Sequence, residues 1–421
     1  MLVQFRVKNF TSFKDEACLS MIANSGKEND NNYVNIGKDN ILKYASIYGA
    51  NASGKTNLIK AFATSIRIIR ESFNYTPNSK LILIDPFAFS NKCKNEPCEF
   101  EYIFIKDNIR YIYGFSATID KIVDEYLIAY YSAKPTEIFS RKDTNNFKLI
   151  SEDEKELKNY VGLALDNKLF FSILGNTKYA KVQRPFEWFI EQIDTFGSTN
   201  DLTLSIMNYA FNCYENDKDG KLKEFSLALL NSADILIEDY IFEAKEMPIN
   251  PIFAAPDMPK NKQVKINMKH TIKEDGENES GYLDFFRSES SGTKILFMLA
   301  PLLKYAFENG KVLYIDEFEN GLHPYLLNAI IKMFNNSKIN KANAQLIINT
   351  HDTNLLSLNV FRRDQIWFVE KNPNTGSSEL YSLADFSVRK EENIQKGYLN
   401  GRYGAVPYIT FGDEFVWKKE N

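Results

Sequence analysis

The sequence predicts an α/β protein with an antiparallel β lobe and a helical insertion, and three observations carry that prediction. A short apolar run at 44–48 leads through a glycine-bearing loop into 57–72, where Leu58, Ile59, Ala61, Phe62, Ile66, Ile68 and Ile69 recur at largely helical spacing. Strand-like stretches at 100–105, 110–117, 126–132 and 147–150 are separated by Asp, Asn and Lys turns, as antiparallel hairpins require. Two short apolar runs late in the chain, 312–315 and 345–349, read as strands of a parallel sheet buried on both faces.

The remaining elements follow in order. Residues 2–10 alternate and predict a strand. From 152 to about 243 the pattern is helical, including 221–236, where Leu222, Phe225, Leu227, Leu229 and Leu230 form an apolar face. No heptad pattern persists there, so a long coiled coil is not expected. Residues 248–259 hold four prolines and read as an irregular connection, 263–272 alternates like a strand, and 274–281 reads as a mobile surface loop. An amphipathic helix is expected at 294–305 and one more strand at 365–369. Three parts result: 1–150 with the glycine-bearing loop and the β lobe, 151–260 as a helical insertion or lid, and 261–421 returning to α/β.

Composition bounds the function classes. With 421 residues and 44% hydrophobic content the chain has ample material for a packed core. Its 51 Lys and Arg against 55 Asp and Glu leave a net charge of -4, so whole-chain electrostatics do not predict strong attraction to nucleic acid. The opening Met1-Leu2-Val3-Gln4-Phe5-Arg6 enters strand-like sequence directly, so no secretory leader is expected. No apolar run is long enough to span a bilayer, and a cytoplasmic location without a membrane partner is expected. Four cysteines cannot build a disulfide framework, which fits a reducing compartment. Cys93 and Cys98 supply only half of a tetrahedral zinc shell and read as ordinary partly buried thiols.

The chemistry is concentrated in four places. Gly49-Ala50-Asn51-Ala52-Ser53-Gly54-Lys55-Thr56 has two glycines around four residues, then a lysine and a hydroxyl, between a strand and a helix. Loop amides and the helix N-terminus would present donors to phosphates, and the Lys55 ammonium can reach the β and γ oxygens. Gly49, Asn51, Ser53, Gly54, Lys55, Thr56 and Asn57 are therefore the expected ATP-binding set, with the Thr56 hydroxyl offered to Mg²⁺. Val312-Leu313-Tyr314-Ile315-Asp316-Glu317 ends an apolar strand on two acids, which by itself fits a solvated loop start equally well. Beside a phosphate loop, Asp316 is expected to hold Mg²⁺ and Glu317 to polarise the attacking water. Glu289-Ser290-Ser291-Gly292-Thr293 precedes a helix and serves either as a simple cap or as a second phosphate contact. His351, one of three histidines, closes the 345–349 strand and could donate to the γ-phosphate.

In order and spacing, these motifs, with Glu319-Asn320-Gly321-Leu322-His323-Pro324 and Thr350-His351-Asp352, resemble the ABC-type P-loop ATPase heads of SMC and RecF proteins. The chain is more closely similar to the shorter bacterial AAA-15/AAA-21 ATPases of the overcoming-lysogenization-defect class, found in anti-phage systems. Val7-Lys8-Asn9-Phe10-Thr11-Ser12-Phe13 and Tyr398-Leu399-Asn400-Gly401-Arg402-Tyr403-Gly404-Ala405-Val406-Pro407 resemble the members paired with an RloB-like or Toprim effector. The resemblance implies that Ser290, Ser291 and Gly292 are a signature motif reaching the ATP of a second subunit, in a head-to-tail dimer or higher assembly. It further implies that 320–323 is the loop at the dimer seam and His351 the switch histidine. One departure stands out: no glutamine falls between Thr56 and Gln183, where such ATPases carry their Q-loop, and 85–89 is expected in that place.

Seventy residues follow His351, too few for a nuclease domain besides the rest of the sheet. The expected function is an ATP-binding and hydrolysing sensor or scaffold that controls a separately encoded effector, RloB-like, Toprim or another toxin. The alternative is a RecF-like ATPase that engages DNA through Lys260, Lys262, Lys265, Lys269 and His270. Arg389, Lys390, Lys396 and Arg402 make the tail basic, which a solvated face explains.

Overall fold

The computed structural model describes residues 1–25, 29–197, 200–246, 262–274, 277–389 and 391–407. The proline-bearing 248–259 stretch, Lys260 and Lys390 lie outside the described residues. Up to the end of the β lobe the elements are β1 (Leu2–Lys8), β2 (Ala17–Ser20), β3 (Tyr33–Ile36), β4 (Asp39–Leu42), β5 (Tyr44–Tyr48), α1 (Lys55–Glu71), α2 (Asn91–Asn95), β6 (Cys98–Lys106), β7 (Ile109–Ala117), β8 (Ile122–Tyr130), β9 (Thr136–Lys142) and β10 (Asn146–Leu149). Then come α3 (Glu154–Val161), α4 (Phe170–Gly175), α5 (Ala180–Glu191), β11 (Ile193–Phe196), α6 (Asn200–Glu215), α7 (Lys221–Ser232), β12 (Asp239–Glu246), β13 (Lys262–Glu274) and β14 (Glu277–Asp284). The last third carries α8 (Phe285–Ser288), α9 (Ser291–Asn309), β15 (Val312–Ile315), α10 (Pro324–Asn335), β16 (Gln345–Asn349), β17 (Ile366–Lys371), β18 (Ser378–Ser382) and α11 (Ile394–Leu399).

Contacts divide the chain into two compact units. The first comprises 1–195, 312–316 and 345–421, and the second 196–311 and 317–344. The helical stretch is thereby shared out, α3 to α5 in the first unit and α6 and α7 in the second.

Two large sheets build the first unit, beside the two-stranded β3-β4 hairpin. One is antiparallel, in the order β10-β9-β8-β7-β6-β1-β2, and its long hairpins are the strands that alternation predicts. The other runs β11-β15-β16-β5-β17-β18, with β15, β16, β5 and β17 parallel to their neighbours in that run and β18 antiparallel to β17. All of β5, β15 and β16 is buried, which is why these strands read as continuous runs rather than alternating ones. Helix α1 joins the sheets. The Phe62 ring lies 4.8 Å from Phe5 and 5.3 Å from Tyr102 of the antiparallel sheet, and 5.5 Å from Tyr314 of the parallel one. At its carboxyl end the Arg70 guanidinium donates to the carbonyls of Phe189 (2.7 Å) and Ile193 (2.7 Å), so α1 is anchored at its middle and at that end.

The tail packs on the parallel sheet. The Phe368 ring of β17 lies 5.5 Å from Tyr398 and 5.9 Å from Tyr403, and Tyr48, the last residue of β5, lies 6.0 Å from Tyr398. This aromatic cluster sets the tail beside the strand that enters the glycine-bearing loop.

In the second unit, α6 and α7 pack against α9, and β12-β13-β14 form a small antiparallel sheet. Tyr214 stacks on Phe297 at 4.3 Å, and its hydroxyl donates to the Phe297 carbonyl at 2.7 Å. The stretch read as a surface loop at 274–281 is corrected here, because 277–284 is strand β14, paired with β13 from Asn267↔Asp284 to Glu274↔Glu277. Main-chain pairing forms such a strand whatever its side chains, and its largely polar sequence carries no apolar alternation to reveal it.

Candidate nucleotide-binding site

The loop from Gly49 to Thr56 connects the carboxyl end of β5 to the first turn of α1, so its conformation is set at both ends by buried elements. Gly49 is required where it stands, because a Cβ there would lie 2.4 Å from the Val369 carbonyl oxygen. Gly54 precedes α1 at φ 120°, a conformation closed to side chains, and offers no side-chain cap. No acidic residue occupies the first turn of α1, so its amides and dipole are left for an anion. The Lys55 ammonium folds back over the loop and donates to the carbonyls of Gly49 (2.7 Å) and Ala50 (3.2 Å). Ser53 Oγ is buried and has no hydrogen-bond partner, while Asn51 and Thr56 are exposed.

Because β5, β15 and β16 are parallel, their carboxyl ends share one edge of the sheet, the place where open α/β sheets bind ligands. Asp316 stands there, directly after β15, and is 1% exposed. Its Oδ1 accepts a hydrogen bond from Asn349 Nδ2 at 2.8 Å. The same amide group donates to the Lys55 carbonyl at 3.1 Å, and Asn349 Oδ1 accepts from the Tyr314 hydroxyl at 3.1 Å. Burial and the nearby Asp316 hold the Tyr314 phenol well above its ordinary pKa, so it stays a neutral donor. Asp316 Oδ2, in contrast, is buried with no partner. A buried carboxylate oxygen without a donor is costly unless a ligand supplies the missing interaction, and a hard oxygen at the edge of a phosphate loop suits Mg²⁺. Among the described residues no group of three or more His, Cys, Asp or Glu could hold a metal.

The other expected site residues are placed as follows. Glu317 follows Asp316 with φ 48°, and its Oε2 accepts from Asn320 Nδ2 at 2.7 Å. His351 lies two residues beyond Asn349 and is exposed. In the second unit, Ser290 caps α9, its Oγ accepting from the Thr293 amide at 3.1 Å, and Ser291 and Gly292 begin the helix. Residues 85–89 form an irregular segment tied to the 9–13 turn, where the Thr11 amide donates to the Asp85 carbonyl (2.7 Å) and the Phe87 amide to Asn9 Oδ1 (3.2 Å).

Of the basic strand, Lys269 pairs with Glu238 at 3.0 Å and His270 lies 2.7 Å from the Glu289 carboxylate. Cys93 and Cys98 are buried, and the Cys98 thiol donates to the Asn9 carbonyl at 2.7 Å. Burial pushes that thiol up to about 12, so it is an inert donor. Among the described residues no helix is long and apolar enough to cross a membrane.

Three residues at the site escaped the sequence reading. Asn349 links Asp316 to the loop, and Ser12 and Ser378 touch the loop from the other side. The Ser378 hydroxyl donates to the Ser53 carbonyl at 2.5 Å and lies 2.8 Å from Ser12 Oγ, and Asn57 Nδ2 donates to Ser12 Oγ at 2.9 Å. A polar residue ending an apolar strand was a usable signal for Asn349, whereas nothing local marks the two serines.

A model of the AAA_21 family, described as "AAA domain, putative AbiEii toxin, Type IV TA system", matches residues 45–357, well over half of the chain. Among solved structures, the chain is similar to an Smc head bound to the C-winged helix domain of ScpA, with 12% identity, 90% of this chain and 97% of that chain covered, and a TM-score of 0.35. It is also similar to an Smc head domain with an extended coiled coil bound to the C-terminal domain of ScpA, derived from Pyrococcus furiosus, with 12% identity, 90% and 96% covered, and a TM-score of 0.36. No curated protein matches.

Proposed function

The chain belongs to the AAA_21 family, and on that premise we propose that it binds and hydrolyses ATP at the Gly49 to Asn57 loop and uses the cycle to control a separate effector in an anti-phage system. The observation that carries the reading is Asp316, a buried carboxylate tied through Asn349 to the backbone of Lys55 with one oxygen left open. Thr56 and Asp316 would hold magnesium, which when bound neutralises phosphate charge.

The loop residues bind and orient the substrate. Gly49, Asn51, Ser53, Gly54 and Asn57 line the phosphate approach, and the Lys55 ammonium exchanges the Gly49 and Ala50 carbonyls for phosphate oxygens. Glu317 takes the proton of the attacking water, its carboxylate oriented by Asn320, and His351 donates to the γ-phosphate. Ser290, Ser291 and Gly292, at the start of a 19-residue helix, supply the second phosphate contact from a partner copy in a head-to-tail dimer. The family description, with its reference to a toxin and a toxin–antitoxin system, supports a place in such a system.

The test is nucleotide binding and turnover on the purified protein, followed by capture of its partner. Lys55→Ala is expected to lose ATP binding. Glu317→Gln is expected to keep binding, cut hydrolysis by about 10²- to 10⁴-fold and accumulate as an ATP-bound dimer. Parental turnover in Glu317→Gln would remove the assignment of the base. An effector encoded beside this gene should co-purify through high salt; duplex DNA that stimulates turnover, with a steep loss on adding salt and no such partner, would overturn the effector reading.

A further inference from the structure

We infer that Ser378 and Ser12 are positioning residues of the phosphate loop: they fix the peptide between Ser53 and Gly54 so that the Gly54 amide faces the bound phosphates. This rests on the ATP site proposed above and adds two residues to it. The Ser53 carbonyl can only accept, the Asn57 amide nitrogen can only donate, and each serine hydroxyl has one proton. The Ser378 hydroxyl is aimed at the Ser53 oxygen at 2.5 Å and at Ser12 Oγ at 2.8 Å, and Asn57 Nδ2 donates to Ser12 Oγ at 2.9 Å. The single Ser378 proton lies between two acceptors and goes to the shorter contact, the Ser53 carbonyl, with Ser12 Oγ as its second acceptor, while Asn57 donates to Ser12. The chain of bonds brackets Gly54, Lys55 and Thr56 from both sides.

Peptide planarity supplies the consequence. In a trans peptide the C=O and N–H point in opposite directions, so holding the Ser53 oxygen toward Ser378 turns the Gly54 N–H the other way. A glycine at φ 120° has little intrinsic barrier to turning that peptide over, so the hydroxyl has to hold it. Close packing secures the arrangement. A Cβ on Gly54 would stand 2.5 Å from Ser378 Oγ and 2.8 Å from Ser12 Oγ, so the hydroxyl pair fills the space beside the glycine. Main chains are locked as well, since the Ser378 amide donates to the Ser12 carbonyl at 2.7 Å. Ser12 itself sits in a turn that holds Asn9 at φ 53° and Thr11 at φ 50°. Asn9 Nδ2 braces that turn on the Cys93 carbonyl (2.8 Å) and the Glu96 carbonyl (3.0 Å). Two segments 366 residues apart are thus brought together at the loop.

The experiment measures KM for ATP, kcat and the melting temperature of nucleotide-free protein for parental, Ser378→Ala, Ser378→Thr, Ser12→Ala and Lys55→Ala chains. Ser378→Ala is expected to raise KM about tenfold with kcat changed less than about threefold and an unaltered melting temperature, since one oriented amide contact is weakened. Ser378→Thr, which keeps the hydroxyl, should recover most of the affinity, and Ser12→Ala should raise KM by about threefold. Parental KM in Ser378→Ala while Lys55→Ala loses binding overturns this inference and leaves the ATP site standing. A lowered melting temperature at parental KM also overturns it, because the serines would then be structural only. Should Ser378→Ala fail to fold, Ser12→Ala decides alone, and parental KM there overturns the inference. ATP binding absent from the parental chain removes the proposed site and this inference together.

Discussion

Two of the carboxylates buried in the first compact unit, Glu125 and Asp316, are treated in opposite ways. Glu125, in the antiparallel sheet, is fully saturated. Its Oε2 accepts from the Phe170 amide (2.7 Å), and its Oε1 accepts from the Phe171 amide (2.8 Å) and the Tyr113 hydroxyl (3.0 Å). Arg141 lies 4.0 Å away and spends its own donors on the carbonyls of Thr144, Lys168 (2.7 Å) and Leu165 (3.2 Å). Burial pushes the Glu125 pKa upward, and Arg141 with these donors opposes it. Asp316, in the parallel sheet, is as deeply buried, yet one of its two oxygens has no partner. A saturated buried carboxylate staples a fold, whereas an unsaturated one beside a phosphate loop keeps an oxygen open, which is the basis of the magnesium role proposed for Asp316.

Mutation can break the comparison at either end. Glu125→Ala should have the largest effect on stability, about 3–5 kcal/mol in denaturant unfolding, because it strands the Arg141 guanidinium and two backbone amides in the core. ATP affinity of the surviving folded fraction should be parental; a loss of affinity larger than the loss of stability would mean that the two carboxylates are not separate in function. Asn349→Ala comes next. It deprives Asp316 Oδ1 and the Tyr314 hydroxyl of partners, and about 1–3 kcal/mol should be lost together with ATP turnover. Unchanged turnover there would detach Asp316 from the loop. The smallest stability change belongs to Asp316→Asn, within about 1 kcal/mol of parental in nucleotide-free protein, because the neutral amide relieves an uncompensated buried charge.

The same contrast explains what could be read in the sequence. Strands β6 and β8 alternate because one face meets a core, and β7 between them carries Tyr111, Tyr113 and Phe115 at every second position, so their hairpins were legible. Strand β9 was missed because Thr136, Glu137, Ser140, Arg141 and Lys142 leave only Ile138 and Phe139 as apolar signal, and Arg141 is buried by its partners rather than by its own character. Strand β14 was read as a loop, since main-chain pairing needs no apolar side chains. The glycine-bearing loop was legible because its whole device is local, eight consecutive residues between a strand and a helix. Asn349 depends on register, with Ile315 opposite Ile348, so that the residue after each meets at the sheet edge. Ser12 and Ser378 depend on a contact across nearly the full chain, which no local pattern encodes.

The central claim is that the open oxygen of Asp316 marks an ATP and magnesium site. It is tested most directly by melting parental, Asp316→Asn and Glu125→Gln proteins with ATP, in the presence and absence of Mg²⁺. Ligand at about a hundredfold over its dissociation constant stabilises by about 2.7 kcal/mol, an increment a melting curve resolves. The account predicts a magnesium-dependent rise with ATP in the parental protein and in Glu125→Gln, even though the latter starts from a lower melting temperature, and loss of the magnesium-dependent part in Asp316→Asn. An equal magnesium-dependent rise in Asp316→Asn would contradict it.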